Sequence, residues 1–210
     1  MKSHDHLEQD PVMAGLIARF GKLRLSSGRS EPYAALSEAV IYQQLNGKAA
    51  ATILGRYMEQ IGRGSLPLPQ QVLDASDEAL RAAGLSRNKA AALRDIALHA
   101  QDGRLPTRAT CTKLGDKELI ERLTDIRGIG RWTVEMLLIF TLGRPDILPV
   151  DDFGVRDGYR RLYGLDEQPK PRALAELGKA WAPWRSIAAW YLWRASDEGK
   201  KIKTADPVKT

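Results

Sequence analysis

Two adjacent carboxylates, Asp151 and Asp152, close the turn-rich stretch "GRPDILPVDDF" and stand just before a segment of helical spacing. A carboxylate held in a partly desolvated cleft can stabilise positive charge developing on a nearby carbon and orient an attacking water. An acidic pair at a helix start can equally serve as a cap. Upstream, "TDIRGIGRWTVEM" sets Gly128-Ile129-Gly130 between two apolar-periodic segments. Glycine reaches positive φ at little cost and, without a Cβ, lets another surface approach the backbone. Ile129 can plug the gap between the two helices. The N–H groups opening the second helix then face outward, where the macrodipole favours an anion. Arg127 and Arg131 flank that point. An ordinary helix–turn–helix corner without a ligand has the same local pattern.

The elements that must carry these residues read as helices. Asp10-Pro11 has the form of an N-cap followed by proline in the first turn, with Val12, Leu16 and Phe20 as the apolar stripe. Ser30-Glu31-Pro32 starts a second helix, and Asn46-Gly47 separates it from a third. "GRGSLPLP" is a loop, short helices follow over about 70–83, and Ala90, Leu93, Ile96 and Ala97 have helical spacing. Asp116 is expected to cap "KELIERL". Helices are expected again over 153–163, 171–181 and 185–196. No long alternating strand pattern occurs. The expectation is an all-α fold of about ten helices: a polar N-terminal tail over 1–9, a helical domain over 10–200 with the hairpin at 117–142, and a frayed basic tail over 201–210.

The totals narrow the class. Of 210 residues, 43% are hydrophobic, enough for a core, and 32 basic against 26 acidic residues give a net charge of +6, compatible with a polyanionic partner. One cysteine, Cys111, makes neither an intrachain disulfide nor a cysteine-rich metal or iron–sulfur site. Three scattered histidines do not form a zinc motif. No apolar run spans a bilayer, and the N-terminus lacks the apolar core of a signal peptide. These features fit a reducing, cytoplasmic setting with no membrane partner.

The hairpin belongs to a longer pattern. "GIGRWTVEMLLIFTLGRPDILPVDDFGVRDG", with "AVIYQQLNGKAAATIL", "GLSRNKAAALRDIA" and "WAPWRSIAAWYLWR", resembles the helix-hairpin-helix (HhH-GPD) DNA glycosylase superfamily, and within it the 3-methyladenine DNA glycosylase II (AlkA-like) family. The resemblance covers about 30–195. One departure is Ile126-Arg127, where the family usually carries Leu-Pro before the glycine. The resemblance implies two helical subdomains flanking a cleft, and a nucleoid-associated location if the source is bacterial. It implies that a monomer excises alkylated purines, 3-methyladenine and 7-methylguanine, from double-stranded DNA with no cofactor and no required metal.

The resemblance also implies roles. Asp152, followed by Phe153 and Val155, matches the catalytic aspartate, leaving Asp151 as a cap or solvated neighbour. Trp132 stands where bifunctional relatives carry the lysine that attacks the sugar, so a monofunctional enzyme without lyase activity is expected. Trp132, Met136, Trp193 and Tyr42 are the expected walls of the base pocket; Met136 replaces a tyrosine of some relatives. Leu45, which could otherwise be a core residue as most leucines are, matches the wedge that fills the gap left by the flipped base, with Gln44 and Asn46 beside it, and Arg127, Gly128, Ile129, Gly130 and Arg131 form the phosphate grip. Carbonyls of Thr124, Ile126 and Ile129 match a monovalent cation position. Trp181, Trp184, Trp190 and Tyr191 are expected to be structural, and Arg185 and Arg194 to position backbone, pair with an acid or lie solvated. A glycosylase for another damaged base and a non-catalytic binder of distorted DNA are the alternatives.

Overall fold

The computed structural model describes residues 3–204, with side chains through residue 198. Every described element is helical and no strand occurs among the described residues, as an all-α reading requires. The α-helices are α1 (Ser3–Leu7), α2 (Pro11–Phe20), α3 (Pro32–Tyr42), α4 (Gly47–Gln60), α5 (Pro69–Asp74), α6 (Asp77–Ala82) and α7 (Arg87–Gln101). They continue with α8 (Arg108–Cys111), α9 (Asp116–Thr124), α10 (Arg131–Met136), α11 (Phe153–Leu162), α12 (Pro171–Leu177) and α13 (Arg185–Thr204). A π-helical turn, Leu137–Thr141, extends α10, and a 3₁₀ turn, Gly178–Trp181, follows α12. The count exceeds the expected ten because residues 3–7, expected as tail, and the short connecting segment Arg108–Cys111 are helical. None of the described helices is long and apolar enough to cross a membrane.

The chain folds as two compact units, Gly28–Leu142 on one hand and, on the other, the residues before Gly28 joined with those from Gly143 onward. In the second of these, α11 packs along α13 and α2 packs on α13. Its core holds Leu7, Met13, Leu16, Val155, Tyr159, Trp181, Tyr191 and Leu192. Asp10 caps α2 as expected, accepting from the Val12 and Met13 N–H groups. It also accepts from the Tyr163 hydroxyl and the Trp181 indole. Burial alone would raise Asp10, but the bonds from Tyr163, Trp181 and the two amides outweigh it and hold the carboxyl below the usual carboxylate range.

Three expectations need correction. Residues 3–7 of the supposed N-terminal tail form α1, because Leu7, only 1% exposed, buries in this core; burying such a side chain contributes about 1.5–3 kcal/mol. The last helix does not stop near residue 196 but runs to Thr204, the next proline after Pro183 being Pro207; the rest of the expected tail, 205–210, lies outside the described residues. Asp116 is the first helical residue of α9 rather than its cap, which is Gly115.

In the Gly28–Leu142 unit, α7 packs against α3 and α5, and α9 against α10. Leu36, Val40, Leu93, Ile96, Leu119, Leu123, Val134 and Leu138 are buried. Along the π-helical turn Leu137, Leu138 and Ile139 are buried, while Phe140 is exposed to solvent.

Candidate active site

The glycine hairpin is built as its sequence suggests and is held from outside. Gly128 has φ +79°, and the Ile129 N–H donates to the Ile126 carbonyl at 3.0 Å. Ile126 and Ile129 are both buried, so the turn is plugged by two isoleucines, while Arg127, Gly128, Gly130 and Arg131 are exposed. A Cβ at Gly128 would lie 2.9 Å from the Ala92 Cβ, so α7 comes close behind the turn. Gly130 is the N-cap of α10, whose first N–H groups have no intrahelical partner.

The departure at Arg127 has a physical counterpart. Proline has no N–H, whereas the Arg127 N–H donates to Asp95 Oδ2 at 2.7 Å. Asp95 sits on α7 beside His99, whose Nδ1 is 2.8 Å from the Asp95 carbonyl. Nothing in the local sequence marks Asp95 for this contact. The two flanking arginines differ. Arg131 pairs with Glu135, one turn on and buried, at 2.9 Å, so part of its charge is already balanced within α10.

The loop between α3 and α4 carries the wedge candidate. Gln44 adopts φ +58°, a left-handed conformation unusual for a side chain that is not glycine. The turn leaves Tyr42 and Leu45 exposed at 40% and 38%, a position inconsistent with Leu45 as core. Asn46 accepts from the Ala49 N–H and caps α4. The loop is tied down on both sides. Lys89 Nζ on α7 donates to the carbonyls of Ile41 and Gln43 at 2.7 and 2.9 Å, and desolvation lowers the Lys89 pKa below that of an ordinary lysine. Gln43 Nε2 donates to the Gly128 carbonyl at 3.1 Å, joining the α3–α4 loop to the hairpin. Gln43 is thus a site-building residue that its neighbour Gln44 overshadowed. On α10, Trp132 is 47% exposed and Met136, one turn on, is half-buried.

Asp152 and Trp193 belong to the other unit. Asp152, not Asp151, caps α11: its Oδ1 accepts the Val155 N–H at 2.8 Å, and Asp151 is exposed. The Trp193 indole Nε1 donates to the same Oδ1 at 2.8 Å. The turn-rich segment before Asp152 is stapled to the start of α13. Asp146 takes two bonds from the Arg185 guanidinium, at 2.7 and 2.8 Å. The buried Ser186 hydroxyl donates to the Arg144 carbonyl and accepts the Ile147 N–H. Arg185 therefore pairs with an acid, one of the roles expected for it, while Arg194 lies over the rings of Phe20 and Trp190. Trp181 and Tyr191 are buried and structural as expected. One turn beyond Asp152, burial would raise Asp157, but bonds from Arg161, Arg160 and Ser196 hold it below the usual range.

The chain as a whole is similar to known proteins in sequence and fold. Residues 38–183 match the family described as HhH-GPD superfamily base excision DNA repair protein. The DNA-3-methyladenine glycosylase 1 of Schizosaccharomyces pombe is 43% identical over 184 residues, covering 88% of this chain and 81% of that one. A solved structure of the Schizosaccharomyces pombe 3-methyladenine DNA glycosylase in complex with abasic DNA superposes with a TM-score of 0.81 at 40% identity, covering all of both chains. A DNA-3-methyladenine glycosidase from Bacillus halodurans gives 0.84 at 38% identity, over 93% of this chain and 89% of that one. A capped aspartate after a stapled loop, a glycine hairpin plugged by isoleucines and an exposed leucine on a strained turn thus come together in a chain that belongs to the HhH-GPD superfamily of base excision DNA repair proteins, within its 3-methyladenine DNA glycosylase II family.

Proposed function

We propose that this protein is a monofunctional DNA glycosylase that hydrolyses the N-glycosidic bond of alkylated purines in double-stranded DNA. The observation that carries the reading is Asp152, a carboxylate fixed by donors from α11 and α13, to which the sequence resemblance assigns the catalytic role. Methylation at N3 of adenine or N7 of guanine puts positive charge on the base and makes it a good leaving group. As the C1′–N bond breaks, the base departs neutral and the sugar takes on oxocarbenium character. The Asp152 carboxylate stabilises that charge. Water then adds to C1′ and loses its proton, leaving an abasic site. Trp132 supplies no amine to form a Schiff base, so the strand stays uncut.

The Gly28–Leu142 unit supplies the grip. The exposed end of α10 and Arg127 suit a phosphate oxygen. A monovalent cation on the carbonyls of Thr124, Ile126 and Ile129 is compatible with this turn, because the Ile126 carbonyl accepts one N–H and keeps a second lone pair. Such an ion would add positive charge at the grip. The exposed Trp132 face suits a cationic base, worth about 0.5–2 kcal/mol. Leu45 fills the space left by the flipped nucleotide. The enzyme works as a monomer.

The test is release of free base from N-methylated duplex without any treatment that cuts abasic strands. Free methylpurine with an intact strand is the expected result; strand cleavage by the protein alone would refute the monofunctional reading, and no release would refute the substrate. A second measurement probes the wedge. Leu45→Ala should slow excision about tenfold more from a stable pair than from a mispair, since unpairing costs a few kcal/mol and least at a mismatch. Equal loss on both substrates would remove the wedge role.

A further inference from the structure

We infer that Trp193 is a positioning residue for the Asp152 carboxylate rather than a wall of the base pocket. The inference rests on the proposed role of Asp152. A carboxylate held only by its cap bond can still swing about that contact. Here a second donor arrives from a different helix: the Val155 N–H and the Trp193 Nε1–H meet at the same oxygen, each at 2.8 Å. Two donors from two directions fix the plane of the carboxylate before substrate arrives, so no reorganisation is needed as charge develops on the sugar.

The surroundings are shaped for this contact. Gly154 lies between carboxylate and ring: a Cβ there would be 2.8 Å from Trp193 Cδ1 and 3.2 Å from Asp152 Oδ1, so any larger residue would push the indole away. One turn further along both helices, Ser196 Oγ donates to Asp157 Oδ2 at 3.0 Å and fixes the register of α13 against α11. The indole edge is thereby held at a set height beside Asp152.

Phenylalanine at 193 keeps an aromatic face but lacks the N–H, which separates positioning from stacking. We expect Trp193→Phe to slow single-turnover release of methylpurine about 10- to 100-fold, the range for losing one bond to a charged group. Binding of an abasic duplex should be unchanged. Gly154→Ala, which keeps the tryptophan but displaces it, should act in the same direction. The deciding measurement is the double-mutant cycle: in an Asp152→Asn background, Trp193→Phe should cause no further loss. A wild-type rate for Trp193→Phe, or the same fold-loss in both backgrounds, overturns the inference. If Asp152→Asn itself excises at the wild-type rate, the reading of Asp152 fails instead.

Discussion

Asp152→Asn should bind damaged duplex normally yet release base about 10²- to 10³-fold more slowly, the loss typical of removing one preorganised electrostatic contact from a transition state. The substitution isolates charge from structure. Asparagine is as good an N-cap as aspartate, so its side-chain oxygen can still accept the Val155 N–H and the Trp193 indole. The melting temperature should hardly move. Asp152→Ala would remove the cap as well, costing about 1 kcal/mol, and would confound the two effects. The measurement is single-turnover release alongside a thermal melt. A well-folded Asp152→Asn enzyme with undiminished release would remove the carboxylate from the mechanism, and the neighbouring Asp151 would be the next to test.

What the sequence disclosed about this site follows from the range over which each interaction acts. Gly128 was legible because a positive φ leaves a glycine in the chain, and Asp10-Pro11 because a cap is set by its next three residues. Leu45 could be read only as one of two options, since exposure depends on the left-handed turn at Gln44, a residue whose type does not announce it. The contacts that hold the machinery in place were not legible. Asp95 meets the Arg127 amide, Asp146 meets Arg185 and Lys89 meets the end of α3 across long stretches of chain. Each looks locally like a solvated charge. Trp193 was expected near the site because of its family position, but its hydrogen bond to Asp152 depends on how α13 lies on α11. Arg131 was misleading in part: its spacing to Glu135 is an ordinary helical pair, yet the burial of Glu135 is tertiary.

That α11–α13 packing makes the second large prediction, on stability. Gly158→Ala should destabilise the protein by about 3 kcal/mol, the upper part of the range for overpacking. A Cβ on Gly158 would sit 2.0 Å from the Leu192 carbonyl oxygen and 2.7 Å from its carbon. Both are backbone atoms of a helix, so no rotamer change relieves the clash. The helices must separate, opening the core around Val155, Tyr159 and Leu192 and loosening the Ser196–Asp157 and Trp193–Asp152 bonds. At roughly 2–4 °C per kcal/mol for a chain of this size, the melting temperature should fall by about 6–12 °C. Base release should fall with it, because the carboxylate loses a donor. Gly15→Ala supplies the opposite case: nothing lies within 4 Å of its added Cβ, and it sits on the exposed side of α2. There alanine should stabilise by about 0.5–1 kcal/mol through helix propensity alone. Calorimetry on the two variants measures the same methyl group with opposite expected signs. A Gly158→Ala protein that melts with the wild type would mean that α11 and α13 can part without cost, and the fixed indole edge beside Asp152 would lose its structural basis.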